Sequence, residues 1–171
     1  MATLPSKLKK MLVGVNGQPF AGEASTVKLP VLSRDMEEYK GGGLLGPVKW
    51  DKGMKAIDLE HEYGGFVPAL FSGFGSPTVD SEMVRFIGAY QSDTAGGYDS
   101  VEILVRGRHE EIDMGDAKAG DDTKQTVKTS CSYYRLSVNR RVLVEIDFLA
   151  TICIIDGVDR AAELREALLL A

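Results

Sequence analysis

Thr123-Lys124-Gln125-Thr126-Val127-Lys128-Thr129-Ser130-Cys131-Ser132-Tyr133-Tyr134-Arg135-Leu136-Ser137-Val138 is the run on which the fold turns. Threonine, valine and tyrosine dominate it, and β-branched side chains lose rotamer freedom in a helix while fitting a pleated sheet. Its apolar positions are odd at Val127, Cys131 and Tyr133, then even at Tyr134, Leu136 and Val138. Side chains alternate between faces along a strand, so this change of parity predicts one long strand with a bulge or a change of face where the two series meet.

Working outward, the neighbouring segments read the same way. Met83–Gln91 and Val101–Glu110 predict an antiparallel pair across Asp93-Thr94-Ala95-Gly96-Gly97-Tyr98, with Val101, Ile103 and Val105 facing away from Glu102, Arg106 and Arg108. Lys55–Tyr63 sets Ile57, Leu59, His61 and Tyr63 against Asp58, Glu60 and Glu62, as a half-buried strand does. Met11–Val15 runs into Asn16-Gly17, a strong hairpin signal, and Phe20–Leu29 follows. Arg141–Asp147 and Thr151–Ile155 complete the strands. Two helical pieces are expected: a turn or two over Phe66–Phe71 with Pro68 near its start, and Asp156–Leu168, with acids at its start and apolar residues at helical spacing, packed on a sheet. The fold class is mainly β: an antiparallel β-sandwich or barrel with a flanking helix.

Glycine supplies the punctuation, with 19 in 171 residues against an average of about 7%. The densest cluster, Gly41-Gly42-Gly43-Leu44-Leu45-Gly46-Pro47, is too glycine-rich for a helix or a well-packed strand. It predicts a long flexible loop around 34–53 within a single domain of residues 1–171, a length that suits one core.

Composition excludes several functions. Hydrophobic residues make up 44% and charged residues 26%, an ordinary folded composition. The longest apolar runs, Leu149–Ile155 and Ala167–Ala171, fall short of the ~20 residues that cross a bilayer. Lysines precede a few apolar residues at the amino terminus, but Gly14, Asn16 and Gly17 end that run too early for a signal-peptide core, which predicts a protein kept in the cytoplasm. A formal charge of −5 argues against a nucleic-acid reader, which needs basic patches to displace counterions. Cys131 and Cys153 show no CxxC spacing and read as buried reduced thiols.

No motif survives as a catalytic or metal site. Gly41-x-Gly43-x-x-Gly46 spells a dinucleotide fingerprint, which would make the chain a small nucleotide-binding enzyme. That motif requires a following helix, whereas Pro47-Val48-Lys49-Trp50 follows. Pro47 and Val48 also stand where a P-loop needs Lys and Ser/Thr, so a loop is the better reading. His61 and His109 sit beside acids, but zinc sites need three or four ligands at defined spacing, and ordinary strand residues explain them better. Asp113, Asp116, Asp121 and Asp122 cluster in a turn whose spacing is not that of an EF-hand. No Gly-x-Ser-x-Gly elbow occurs. No catalytic, cofactor-binding or metal residue is predicted.

Five ordered blocks carry a resemblance instead. They are Val27–Leu32; Glu38-Tyr39-Lys40-Gly41-Gly42-Gly43 with Gly46-Pro47-Val48; Asp113–Gly120; Ser132–Leu136 running through Val144–Asp147; and Ile155–Asp159 before an Arg-containing helix and Leu-rich tail. In these blocks the chain resembles the major tail tube proteins of contractile-tailed bacteriophages and R-type bacteriocins, although Phe148 stands where that family tends to have proline. The resemblance implies a non-enzymatic virion subunit forming homohexameric rings, their sheets joined into a continuous inner barrel and the rings stacked into a hollow tube. It implies assembly in the host bacterial cytoplasm. Its implied partners are the tail sheath, tape-measure, baseplate and tail terminator proteins, and DNA passing without sequence-specific binding. Membrane insertion by this chain is not implied. The arm implied to reach an adjacent ring comprises Glu38, Tyr39, Gly41, Gly42, Gly43, Leu44, Leu45, Gly46 and Pro47. Repeating the formal charge of −5 around a ring implies an acidic bore. A secretion-machine tube of the same architecture is the neighbouring alternative.

Overall fold

A computed structural model describes residues 3–170. Its strands are β1 (Lys7–Val15), β2 (Gln18–Pro19), β3 (Ala24–Lys28), β4 (Arg34–Tyr39), β5 (Val48–Met54), β6 (Ile57–Tyr63), β7 (Glu82–Gln91), β8 (Asp99–Asp113), β9 (Gln125–Val138), β10 (Arg141–Asp147), β11 (Ile152–Ile155) and β12 (Val158–Asp159). A 3-10 turn covers Pro68–Gly73, and one helix, α1, covers Ala162–Ala167. Every strand pairing is antiparallel.

The opening run is β9, the centre of the main sheet. Its amino-terminal half pairs with β6, which carries β3 on its far side, and its carboxyl-terminal half pairs with β10. Along its whole other edge lies β8, and from β8 the sheet continues through β7 and β1 to β2. The parity change is a bulge: Arg106 faces Tyr133 while Gly107 faces Cys131, leaving Ser132 as the extra residue. Residues 125, 127, 129 and 131 therefore point into the core before the bulge, and Tyr134 after it.

One face of each long strand enters a single apolar cluster, with Val13 from β1, Leu59 and Tyr63 from β6, Phe86 from β7, Val105 from β8, Val127 and Tyr134 from β9 and Ile146 from β10. A sheet that buries the same face along its whole width in one cluster must curl over on itself, which gives the sandwich-like barrel. Asn16-Gly17 turns β1 into β2 with φ of 51° and 82°, the left-handed pair a two-residue hairpin requires.

Several expectations change. The loop expected around 34–53 is a hairpin, β4 paired with β5, and only Lys40–Pro47 at its tip is loop. The strand expected over Phe20–Leu29 starts at Ala24, after a turn closed by the Phe20 carbonyl. The helix expected over Asp156–Leu168 shortens to Ala162–Ala167, because Asp156-Gly157 is a left-handed hairpin turn that pairs β12 with β11. That helix has no buried residue, so its apolar side is not packed on the sheet. Cys131 is buried, but Cys153 is only half-buried.

Candidate assembly interface

The β4–β5 arm begins at the Lys55 N–H bond to the Ser33 carbonyl and projects from the barrel. Register places Tyr39 opposite Val48 and Glu37 opposite Trp50. Directly paired residues share a face, so Tyr39, Val48 and Trp50 form one apolar face and Met36, Glu38, Lys49 and Asp51 the other. Each face is braced: Lys52 pairs with Glu37 and lies 5.6 Å from the Trp50 ring centroid, and Arg34 pairs with Asp51 at 2.5 Å. Every residue of β4 is exposed, and Tyr39, Val48 and Trp50 are half exposed or more, with Leu45 at the tip fully so.

This is an amphipathic hairpin with nothing beneath its apolar side. An isolated two-stranded hairpin is marginal in water, and a partner surface is what would stabilise it. Removing the remaining ~100 Å² of Trp50 from water would contribute about 2–3 kcal/mol. The site residues expected from sequence all fall on this arm: Glu38 and Tyr39 end β4, and Gly41, Gly42, Gly43, Leu44, Leu45, Gly46 and Pro47 form the tip. Val48 and Trp50, the other half of the apolar face, were missed. The period-two pattern Val48, Trp50, Lys52 after the glycine tip was the signal for them. Since Gly46 leads into β5 rather than a helix, the dinucleotide geometry does not form.

Other apolar side chains are also uncovered. Phe66 and Met114 line one shallow pocket and are exposed, as are Phe74 and, on α1 and the tail, Leu164, Leu168, Leu169 and Leu170. The helix is tied down by polar contacts: Arg165 donates to the Thr151 carbonyl at 2.9 Å and pairs with Asp159. The sheet's outward face interleaves both signs, with Glu102 between Arg85 at 3.0 Å and Arg135 at 3.8 Å, and Lys128 between Asp58 and Glu110.

The two histidines, read as separate strand residues, meet in the core. Tyr63 Oη lies 2.8 Å from His61 Nδ1, and Thr129 Oγ1 lies 3.4 Å from His61 Nε2 and 3.0 Å from His109 Nδ1. Glu82, itself buried, stands 3.7 Å from His109 Nε2 and accepts from Asn16 Nδ2 at 2.7 Å. Burial pushes His61 down to about 3, helped by His109; burial also lowers His109, against the pull of Glu82. Cys131 is pushed up to about 12 by burial, which keeps its thiol protonated and unreactive. Asp113, Asp116, Asp121 and Asp122 line an open acidic surface with Lys118 and Lys124 among them.

Comparison with known proteins agrees with a subunit built for contact. The family model described as Phage tail tube protein FII matches residues 5–168. The tail tube protein of Escherichia phage P2 is 39% identical over 165 residues, covering 95% of this chain and 96% of that protein. The major tail tube protein of Serratia phage KSP20 is 40% identical over 156 residues, covering 90% of each. Among solved structures, the sheath-tube complex of an extracellular contractile injection system shares the fold at a TM-score of 0.59 and 13% identity, over 78% of this chain and 91% of that one. The cap of the anti-feeding prophage does so at 0.58 and 11%, over 81% and 93%. With the family model spanning nearly its whole length, this chain belongs to the phage tail tube protein FII family.

Proposed function

We propose that this chain is the wall subunit of a contractile phage tail: six copies close a ring, rings stack into a hollow tube inside a sheath, and the tube carries DNA through the host envelope. A tape measure sets its length, and a baseplate and terminator bound it. The work is structural and involves no bond chemistry. The observation that carries this is the arm, a hairpin whose apolar face, Tyr39, Val48 and Trp50, has nothing under it in its own chain. Such a face gains stability only on another molecule, and a family of tube proteins supplies the identical neighbour. The glycines of the tip allow close approach to that neighbour.

Purified protein should form rings or tubes in negative-stain electron micrographs. A Tyr39→Ser/Trp50→Ser chain should melt like the wild type when both are dilute and unassembled, yet fail to stack. A wild-type chain that stays monomeric at high concentration with an assembly initiator present would overturn the tube reading, and a doubly substituted chain that still stacks would overturn the role of the arm.

A further inference from the structure

We propose that neighbouring copies join head to tail by pairing the basic free edge of β1, bearing Lys7, Lys9 and Lys10, with the acidic free edge at the end of β8, bearing Glu110, Glu111 and Asp113. This rests on the tube-wall reading and names the strands that meet.

β1 and β8 lie inside the sheet, yet each runs past one of its two neighbours and leaves a stretch with no strand alongside. On the side away from β7, β1 is covered by β2 only at Gly14 and Val15, so Lys7–Leu12 continues uncovered. On the side away from β9, β8 is covered by β7 only as far as Gly107, so Arg108–Asp113 runs past it. The two stretches match in length, six residues each. Their backbone groups can hydrogen-bond a strand added at the edge.

Charge then selects which edge meets which. Each edge carries a bulge, at Leu8/Lys10 in one and at His109/Glu111 in the other, together with a charge cluster of one sign. Bulges and edge charges are what proteins use to stop strands from pairing indiscriminately. Bringing β1 against β1 would oppose lysines, and β8 against β8 would oppose carboxylates, so both symmetric dimers are disfavoured. Only the mixed pairing sets lysine beside carboxylate. Lys9 already pairs with Asp93 and Glu110 with Lys128, but Lys7, Lys10, Glu111 and Asp113 have no ion-pair partner among the described residues. Arg108 opposes the acids on β8 and leaves them in excess. The strands that end the sheet, β2, β3 and β12, carry no charge cluster: β3 has one lysine, Lys28, and β12 one acid, Asp159. A contact between two different patches propagates with one polarity, which is what closes a ring.

Reversing charge tests this directly. Lys7→Glu/Lys10→Glu and Glu111→Lys/Asp113→Lys should each raise the concentration needed for half-assembly at least about a hundredfold, with the circular dichroism and the melting temperature of the dilute, unassembled chain unchanged. Mixed in equal amounts, the two chains should co-assemble into rings of alternating subunits, since each then offers the edge the other lacks. Rescue of that kind requires both chains to be folded; should a reversal unfold its chain, Lys7→Gln/Lys10→Gln and Glu111→Gln/Asp113→Asn replace the pair and should each weaken assembly. Assembly of either reversal alone at wild-type concentration, or two folded reversals that fail to complement, would overturn this pairing while wild-type tubes leave the tube reading intact. Wild-type protein that forms no rings would overturn both.

Discussion

His61 and His109 show what a single position contributes here. Each sits on a core-facing strand position, and the pairing of β6 and β8 with opposite edges of β9 brings both rings to Thr129. Neither carries charge at neutral pH, because burial opposes it. The pH dependence follows from that. Above the ordinary histidine value of 6.5, folded and unfolded chains both hold His61 neutral and its contribution is complete. Below it the unfolded chain takes up a proton that the folded one refuses until about 3, so stability falls as pH drops through that window. The expected slope from His61 is about 1.4 kcal/mol per pH unit, and His109 adds in the same direction. Urea unfolding at a series of pH values checks it: His61→Leu should flatten the profile by the His61 share, and an unchanged profile would refute the assignment.

At the level of elements, the bulge joining β8 and β9 is the feature the sequence announced most clearly. The parity switch between Cys131 and Tyr134 could be read without a structure because alternation is a property of one strand alone. Gly107, its partner, could not: a Cβ there would collide with the Ser130 carbonyl, a contact between two strands. Gly107→Ala should therefore cost roughly 3 kcal/mol or more, since the obstacle is backbone rather than a movable side chain; a change in urea midpoint equivalent to under about 1 kcal/mol would show that the bulge can open. The same division explains the rest of what was legible. The hairpin at Asn16-Gly17 carries its own signal. The arm looks like loop in the sequence because its strands bury almost nothing within the chain, so the burial that gives alternation its meaning is absent. Asp156-Gly157 is a hairpin signal as strong as Asn16-Gly17, but the helical spacing after it masks the turn, so the helix of six residues looks longer in the sequence than it is. The meeting of His61, His109 and Glu82 depends on strand order and register, which no local pattern encodes.

Taken whole, the molecule is an incomplete surface. Apolar side chains on the arm, at Phe66 and Phe74, and along Leu164–Leu170 remain in water, more than a solitary domain leaves exposed without a partner. Self-association should therefore appear as extra stability by mass action. The melting temperature of wild-type protein should climb by about 3 °C per tenfold rise in concentration through the assembly range, and the Tyr39→Ser/Trp50→Ser chain should climb less. Scanning calorimetry across a dilution series measures this, and a melting temperature independent of concentration would contradict it.

β8 and β9 run unbroken from the β1–β7 side of the barrel to the β3–β6 side. A blow delivered to one wall of the subunit thus reaches the other along continuous polypeptide, not through side chains that merely touch. Were the tube driven hard against an obstacle, each brick would transmit the shock as a single rigid body, and yielding would be confined to the mortar between bricks.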